Sequence, residues 1–363
     1  MANFLETIKP KVRALAPYTL KPAKARIKLN QNENAWDLPA EIKQETMRRI
    51  ADLRWSRYPD FVPKQLHQRL ADHSGWIADG IIAGNGSNEL IQALLMVTVG
   101  EGRRVLINEP TFALYRQIAT VLGAEVISLP LTPQLDFDVP ALQSAIESAN
   151  PEVTIICSPN NPTGCVISQP DLSSLLKAAR GLVVVDEAYF EFSDQTVVPL
   201  LEGHSNLVVL RTFSKAMALA GLRVGYLLAA PELVHEVSKA VLPYNLNVLS
   251  QIASEVSIEM YKSALSPLVE LIKIERERLF VSLGRIAGLR PLASRGNFMV
   301  VQSPIPPSRV CKELLQREIL IRDVSGYPLL RDHFRVSVGT PEENDLVIKA
   351  LLQILQSRNA ERV

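Results

Sequence analysis

The sequence predicts an α/β fold, with a mostly parallel seven-stranded sheet in a large domain and a smaller α+β domain after it. Short apolar runs rich in valine and isoleucine recur up to about residue 230, and helical patterns separate them. Apolar residues on consecutive positions are typical of strands that are buried on both faces of a sheet. Beyond residue 232, long charged helical patterns and shorter strand-like pieces replace this alternation.

Seven of the apolar runs are predicted as strands, and most are separated by enough residues for the crossover that parallel strands require. Helices are expected at Asn88–Val99, with Gly100 just past the end, and at Phe112–Leu122, closed by Gly123. The predicted strands are Ile81–Ala83, Arg104–Ile107, Glu125–Leu129, Val153–Cys157, Leu182–Val185, Leu207–Leu210 and Val224–Ala229.

The second domain is predicted from the later pattern. Helices are expected at Glu232–Lys239, over residues 251–287 and at Ser308–Glu318, beside strands at Asn297–Val301 and Phe334–Val338. The predicted division has three parts: residues 1–40, a segment that joins the small domain, residues 41–250, the large domain, and residues 251–363, the small α+β domain.

Composition and charge favour a small-molecule partner. The chain has 363 residues, of which 47% are hydrophobic, and a net charge of +1 gives no overall attraction to nucleic acid or to an anionic membrane. Three separated cysteines without a Cys-x-x-Cys pair, and five scattered histidines, indicate neither a disulfide framework nor a metal site. No apolar stretch approaches the length of a membrane span. We therefore expect a cytoplasmic protein with no nucleic-acid or membrane partner.

Four polar motifs follow predicted strands, at the sheet edge where ligands gather in parallel α/β folds. Taken singly, each has an ordinary explanation as a turn, a helix cap or a solvated lysine. Their convergence at one edge predicts a binding site. The motifs are Gly84-Asn85-Gly86-Ser87-Asn88-Glu89, Ser158-Pro159-Asn160-Asn161-Pro162-Thr163-Gly164, Asp186-Glu187-Ala188-Tyr189, and Arg211-Thr212-Phe213-Ser214-Lys215 with Arg223 eight residues beyond.

The chemistry of these residues matches one cofactor. A glycine-rich turn at a helix N-terminus, the hydroxyls of Thr212 and Ser214, and Arg223 suit a phosphate dianion. Asp186 can keep a pyridine nitrogen protonated, because an opposite charge nearby favours the charged form. Lys215 is a nucleophile that can bind an aldehyde covalently. Phosphate, pyridinium and aldehyde together describe pyridoxal 5'-phosphate.

The order of these motifs resembles that of the class I/II aminotransferases of the fold type I pyridoxal-phosphate family. Within the family, the chain is similar to the histidinol-phosphate aminotransferases over about residues 18 to 345. The resemblance implies transfer of an amino group between L-histidinol phosphate, or imidazole acetol phosphate, and 2-oxoglutarate or glutamate in histidine biosynthesis. The segments that carry it are Leu29–Asn34, Arg57–Asp60, Glu109–Phe112, Leu210–Tyr226 and Arg335–Asn344.

The resemblance also implies roles for single residues. Lys215 would be the catalytic residue, which binds the cofactor and moves a proton at the substrate α-carbon. Asp186 would pair with the ring nitrogen, Asn161 and Tyr189 would hydrogen-bond the phenolic oxygen, and Phe112 would stack on the ring. The residues that would hold the phosphate are Ser87, Asn88, Thr212, Ser214, Arg223 and, from the second subunit of a homodimer, Tyr58.

The substrate end of the site is expected at two arginines. By resemblance, Arg335 would bind an α-carboxylate, since its planar fork gives bidentate contact. Arg322 and Tyr18 would meet the phosphate of histidinol phosphate, although an ion pair of Arg322 on the surface is the alternative. Asn32 would lie nearby and help to close the site.

Two other classes of function remain open from the sequence, one enzymatic and one not. The same fold and cofactor support an aromatic amino-acid aminotransferase or a threonine-phosphate decarboxylase, because the choice of broken bond depends on a few side chains. The second is a non-catalytic ligand-binding regulator, which would need a DNA-binding unit and a basic patch that the two predicted domains leave little room for.

Overall fold

The chain forms two sheets of four and seven strands, a two-stranded pair, and twelve α-helices within the described residues of this computed structural model, which are 4–17, 19 and 23–360. None of the helices in those ranges is both long and apolar enough to cross a membrane. The strands are β1 (Ile27–Lys28), β2 (Ile81–Gly84), β3 (Arg104–Glu109), β4 (Glu125–Pro130), β5 (Val153–Cys157), β6 (Leu182–Asp186), β7 (Leu207–Thr212), β8 (Gly225–Leu228), β9 (Arg290–Pro291), β10 (Phe298–Gln302), β11 (Ile319–Leu320), β12 (Arg322–Asp323) and β13 (His333–Ser337).

The helices fill the intervals between the strands and cover the sheets. The α-helices are α1 (Pro10–Arg13), α2 (Ala40–Ala51), α3 (Lys64–Ser74), α4 (Ser87–Thr98), α5 (Leu114–Leu122), α6 (Val139–Ala149), α7 (Gln169–Ala178), α8 (Pro231–Ser238), α9 (Val248–Glu259), α10 (Ser266–Gly284), α11 (Pro307–Leu315) and α12 (Pro341–Ala360). Short 3-10 helices lie at Phe4–Thr7, Ala78–Gly80, Phe190–Phe192, Val198–Glu202 and Ala220–Leu222, and a π-helical turn at Tyr261–Leu265.

All seven predicted strands of the large domain join one sheet, in the order β2-β8-β7-β6-β5-β3-β4. Only β8 runs against the others, since both of its pairings are antiparallel and the remaining pairings are parallel. Every residue of β5 and β8 is buried, as their consecutive apolar residues predict. The expected fold class, a mostly parallel seven-stranded sheet, is therefore confirmed.

Helices cover both faces of this sheet and place two separate cores against it. One core joins the sheet to α3, α6, α7 and α9, through residues such as Leu70, Leu172 and Val256. The other joins it to α4, α5 and α8, through residues such as Leu94, Ala119 and Val237. With both faces covered, the carboxyl-end edge of the sheet is where polar residues can face a ligand.

The C-terminal part forms a separate antiparallel sheet, in the order β12-β13-β10-β9. Its core includes residues of α10, α11 and α12, and Ile27 and Leu29 from the N-terminal segment join it. The segment is also tied there by β1, which pairs in parallel with β11. The helix α10 spans the two parts, because Ile272 packs near Tyr189 while Leu283 lies in the C-terminal core. The boundaries at residues 40 and 250 stay predictions.

A buried ion pair between two of the motifs joins the carboxyl ends of β6 and β7. The Arg211 Nε donates to Glu187 Oε2 at 2.9 Å, and the two side chains are 3% and 1% exposed. The guanidinium also lies 3.6 Å from the centre of the Phe190 ring and donates to Thr196 Oγ1. Both charges are thus paired within the protein and fix the spacing of the two strand ends.

Removing one member of this pair should destabilise the fold. Arg211→Met leaves Glu187 buried and unpaired, so we expect the free energy of unfolding to fall by about 3–5 kcal/mol. The measurement is urea unfolding followed by circular dichroism. Arg211→Met combined with Glu187→Leu should recover part of the loss. Lys239→Met is the matched control, since its pair with Glu236 is exposed and screened by solvent, so its loss should leave stability almost unchanged. The prediction would be contradicted if Arg211→Met and Lys239→Met lowered the free energy of unfolding equally.

Candidate active site

The ends of strands β2, β5, β6 and β7 meet residues of the N-terminal segment and of the C-terminal part around a cavity of about 250 Å³. Thirteen of the fifteen site residues predicted from the sequence line it. They are Asn32, Ser87, Asn88, Phe112, Asn161, Asp186, Tyr189, Thr212, Ser214, Lys215, Arg223, Arg322 and Arg335. The topology therefore brings together residues that lie up to 303 positions apart in the sequence, as Asn32 and Arg335 do.

One end of the cavity is a turn shaped for an anion. Gly86 has φ +81°, and a Cβ atom at this position would lie 2.6 Å from Nη2 of Arg223. The turn leads into α4 at Ser87, so the first N–H groups of that helix point towards the same place. Arg223 donates through Nη1 to Ser214 Oγ at 3.1 Å. The glycine thus leaves room for a guanidinium beside a helix N-terminus, an arrangement that could hold a phosphate.

Asp186 lies at the carboxyl end of β6 and is 3% exposed. Its Oδ2 accepts a hydrogen bond of 2.6 Å from the hydroxyl of Tyr115, and its Oδ1 accepts one of 3.0 Å from the N–H of Ala188. Burial raises the pKa of the carboxyl to about 6, although these hydrogen bonds and Lys215 act in the opposite direction. A cation placed against this carboxylate would be strongly attracted.

Lys215 lies in the turn after β7 and extends into the cavity. Its Nζ donates to the backbone carbonyl of Gln31 at 2.9 Å, and Asn34 Nδ2 donates to the carbonyls of Lys215 and Ala216. Burial, with Arg335 as the next cause, lowers the pKa of the ammonium to about 7. A substantial fraction of the amine is therefore neutral, and nucleophilic, near neutral pH.

Two hydrogen-bonded groups flank Lys215. The Nδ2 of Asn32 donates to the hydroxyl of Tyr189 at 3.1 Å, and the Tyr189 ring packs edge-on against Phe298. In the second group, Arg335 donates through Nη1 to Asn161 Oδ1 at 2.6 Å and through Nη2 to the Asn30 carbonyl at 2.7 Å. The Asn161 amide accepts from the arginine with its oxygen, so its Nδ2 can donate to a ligand.

Arg322 and Arg335 are direct partners in the antiparallel pair of β12 and β13. Directly opposed residues project from the same face of a sheet, so the two like charges lie side by side. Both line the cavity, where the described charged residues are four cations, Lys215, Arg223, Arg322 and Arg335, and one acid, Asp186. No ion pair joins Arg322 to Asp323 or Glu318 within the described ranges, which argues against the surface-pair alternative. This excess of positive charge favours anionic ligands.

The remaining two predicted residues are Tyr58, which does not line the cavity in one copy of the chain, and Tyr18. Tyr58 is 81% exposed and its ring stacks on Tyr244, with centroids 4.5 Å apart. Tyr18 lies outside the described residues. The roles assigned to all fifteen side chains stay predictions.

The cavity also contains residues that the sequence did not single out. Tyr115 bonds to Asp186, the Gln31 carbonyl accepts from Lys215, and Tyr327 lines the wall near Arg322. Tyr115 follows Phe112 by three residues within the predicted helix Phe112–Leu122, a spacing that would put both on one helix face, and this signal could have suggested it. In the structure α5 begins only at Leu114. A backbone carbonyl or a loop tyrosine has no such sequence signature.

Comparisons with known proteins identify the family of the chain. Residues 24–351 match the family model described as aminotransferase class I and II. The histidinol-phosphate aminotransferase of Chlorobium phaeovibrioides is 38% identical over 354 residues, which cover 97% of this chain and 98% of that protein. The histidinol-phosphate aminotransferase of Chlorobaculum parvum is 37% identical over 351 residues, covering 96% and 98%.

Solved structures share the fold. The histidinol-phosphate aminotransferase from Sinorhizobium meliloti, in complex with pyridoxal-5'-phosphate, gives a TM-score of 0.86 at 24% identity and covers 96% of this chain and 98% of its own. A putative histidinol-phosphate aminotransferase from Erwinia carotovora atroseptica gives 0.85 at 25% identity, covering 94% and 99%. The expected fold type and cofactor are thus confirmed. The chain belongs to the class I and II aminotransferases, enzymes that depend on pyridoxal 5'-phosphate.

Proposed function

We propose that this aminotransferase exchanges an amino group between L-histidinol phosphate, with imidazole acetol phosphate as its keto form, and 2-oxoglutarate or glutamate. The observation that carries the proposal is the pair of neighbouring arginines, Arg322 and Arg335, in the cavity that holds Lys215. The names of the relatives that align over nearly the whole chain support the same substrate. The cytoplasmic location expected from the sequence stays a prediction.

The residues of the cavity fit the cofactor from end to end. The turn at Gly86, which a Cβ atom would fill, leaves Arg223 beside the N-terminus of α4 for the phosphate, and Ser87, Asn88, Thr212 and Ser214 would complete the cradle. Asp186 would pair with the ring nitrogen and Phe112 would stack on the ring. Asn161 and Tyr189 would donate to the phenolic oxygen. When bound, pyridoxal phosphate supplies an electron sink that stabilises negative charge at the substrate α-carbon.

Lys215 would act twice, first as the nucleophile that binds the aldehyde and then as the base at the α-carbon. Both tasks need the neutral amine, and burial together with Arg335 lowers the pKa to about 7. A base with a pKa near the working pH is most effective, because it both accepts and returns the proton. The Gln31 carbonyl, which accepts from Nζ, would orient the amine between these steps.

The arginine pair suits both amino donors, because each carries two negative charges. Glutamate has two carboxylates, and histidinol phosphate has a phosphate dianion and no carboxylate. Arg335 would hold the α-carboxylate of glutamate in a bidentate contact. Arg322, on the neighbouring strand, would bind either the second carboxylate or the phosphate, and Asn32 would close the site beside them. Placing an anion there also offsets the repulsion between the two guanidinium groups.

We also propose that the enzyme is a homodimer in which each active site takes Tyr58 from the partner. Residues 53–62 and 242–244 expose several large apolar side chains, including Trp55 at 73%, Phe61 at 66% and Leu242 at 73%. Tyr58 and Phe61 both contact the ring of Tyr244, so the two segments form one continuous apolar surface. Exposed apolar surface of this kind is typical of protein interfaces.

The pKa of Lys215 leads to a prediction about stability. The unfolded chain keeps a proton on this lysine up to its usual pKa of 10.5, whereas the folded chain releases it near pH 7. The unfolded state therefore binds more protons between these values, and stability rises with pH across this window. Lys215→Met should raise the free energy of unfolding of the cofactor-free protein at pH 7 and reduce the rise towards pH 10.

The measurement is urea unfolding at several pH values on cofactor-free protein. Lys177→Met is the control, because Lys177 is exposed on α7 and its removal should leave the pH profile unchanged. If Lys215→Met, like Lys177→Met, leaves the dependence of unfolding free energy on pH unchanged, then the fold does not disfavour the charged form of Lys215.

The substrate assignment predicts a selective effect of Arg322. Each charge-assisted hydrogen bond contributes about 1.5–3 kcal/mol, so Arg322→Ala should lower kcat/KM for histidinol phosphate about 10- to 100-fold. The effect on phenylalanine as donor should be small, because its side chain has no anion. Arg317→Ala is the matched control, since Arg317 contacts Glu313 on the surface. A uniform loss with all donors would contradict the role of Arg322.

A screen of amino donors tests the function as a whole. Each donor is mixed with holoenzyme, and the absorbance of the cofactor reports conversion of its aldehyde form to its amine form. Histidinol phosphate should convert the cofactor fastest, and 2-oxoglutarate should return it with formation of glutamate. Faster conversion by aromatic amino acids would make it an aromatic aminotransferase. Release of carbon dioxide from threonine phosphate without an acceptor would make it a decarboxylase.

The shared site predicts complementation between inactive variants. In a hybrid of Tyr58→Ala and Lys215→Ala subunits, one site has both native residues and the other has neither. An equal mixture, allowed to exchange subunits, should regain up to about a quarter of the native activity by statistics of the two-fold assembly. Each variant alone is the control. No gain on mixing, with hybrids confirmed by mass, would place Tyr58 outside the partner's site.

A further inference from the structure

Tyr115 is a fully buried tyrosine whose hydroxyl ends at the carboxylate of Asp186. The ring is 0% exposed, and its Oη donates to Asp186 Oδ2 at 2.6 Å. Both residues line the cavity that contains Lys215. A phenol in this position supplies a strong donor to a carboxylate that water cannot solvate.

The carboxylate has two donors from the protein, one on each oxygen. The Ala188 N–H donates to Oδ1, and Tyr115 donates to Oδ2. Two fixed donors set the rotation of the carboxylate plane, since either oxygen would lose its partner if the group turned. Each oxygen keeps a further lone pair, so the group can still accept a hydrogen bond from a ligand in the cavity.

The position of Tyr115 is itself fixed by packing. It lies in the first turn of α5, and its ring meets the Phe112 ring edge-on, with centroids 5.5 Å apart. The ring also belongs to the core between the sheet and α4 and α5. Glu187, next to Asp186, raises the pKa of that carboxyl, whereas Lys215 and the Tyr115 hydrogen bond lower it. The hydrogen bond from the Ala188 N–H also lowers this pKa, so Tyr115 is one of three groups that favour the charged form.

We propose that Tyr115 is a positioning residue for the cofactor, whose hydroxyl keeps Asp186 oriented and ionised for contact with the ring nitrogen. This inference rests on the proposed pairing of Asp186 with that nitrogen. Without the hydroxyl, the carboxylate loses a charge-assisted hydrogen bond and is more readily protonated. A neutral acid attracts a pyridinium weakly, so the cofactor should bind less tightly. The weakened contact is the one at the ring nitrogen, and the contacts of the phosphate and the aldehyde stay unchanged.

Two ligands separate this role from a general structural one. The first is pyridoxal 5'-phosphate, and the second is its analogue with carbon in place of the ring nitrogen. Dissociation constants are measured on cofactor-free protein by fluorescence quenching. Tyr115→Phe should weaken binding of pyridoxal phosphate about 10- to 100-fold, the range of a charge-assisted hydrogen bond. Binding of the carbon analogue should change less than about 2-fold, since it has no nitrogen for Asp186 to contact.

Tyr226→Phe is the matched control. Tyr226 is a buried tyrosine, 2% exposed, whose hydroxyl accepts from Arg211 rather than contacting Asp186, and its change should leave both constants unaltered. If Tyr115→Phe weakens both ligands equally, or neither, the inference is overturned. If Tyr115→Phe does not fold, Tyr115→His, which keeps a ring N–H donor, should bind pyridoxal phosphate more tightly than Tyr115→Met, and equal affinities would overturn the inference too.

Asp186→Asn tests the underlying pairing separately. This variant should weaken binding of pyridoxal phosphate and spare the carbon analogue. If it does so while Tyr115→Phe has no effect, the inference about Tyr115 fails and the role of Asp186 stands. If Asp186→Asn spares both ligands, the proposed pairing itself fails.

Discussion

The burial of Lys215 is the constraint on which the site depends. An ammonium group held away from water, with Arg335 and Arg223 nearby, loses much of its preference for the charged form. Its one described hydrogen bond is to a backbone carbonyl of the N-terminal segment, at Gln31. That segment therefore helps to cover the amine, and this links the position of residues 27–36 to the chemistry at residue 215.

The same segment connects the C-terminal strands to the edge of the large sheet. The strand β1 pairs with β11, and the chain then passes over the carboxyl ends of the large sheet, where Asn34 bonds to the backbone after β7. Arg335 reaches back from β13 to Asn161 and to the Asn30 carbonyl. The covering segment and Arg335 are thus held together by β1 and by the hydrogen bond to the Asn30 carbonyl.

Much of this arrangement could be predicted from the sequence, because its determinants are local. Continuous Val and Ile runs give strands buried on both faces, and all seven joined the sheet. The motifs that follow strand ends must meet at one edge once the strands are parallel. Other features depend on distant parts of the chain. The alignment of Arg322 with Arg335 is a matter of strand register across an irregular loop, and the contact of Tyr115 with Asp186 depends on the rotation of α5.

The charged groups of the cavity match the charges that its ligands would bring. Four cations and one carboxylate face the same space, and burial raises the pKa of Asp186 to about 6 while it lowers that of Lys215 to about 7. Both shifts arise because neither charge has sufficient compensation from the protein alone. A ligand with a cationic ring at Asp186 and anionic ends at the arginines would supply charges of opposite sign at each place. The free-energy cost of burying these charges in the protein alone is thus offset when the cofactor and a doubly anionic substrate bind.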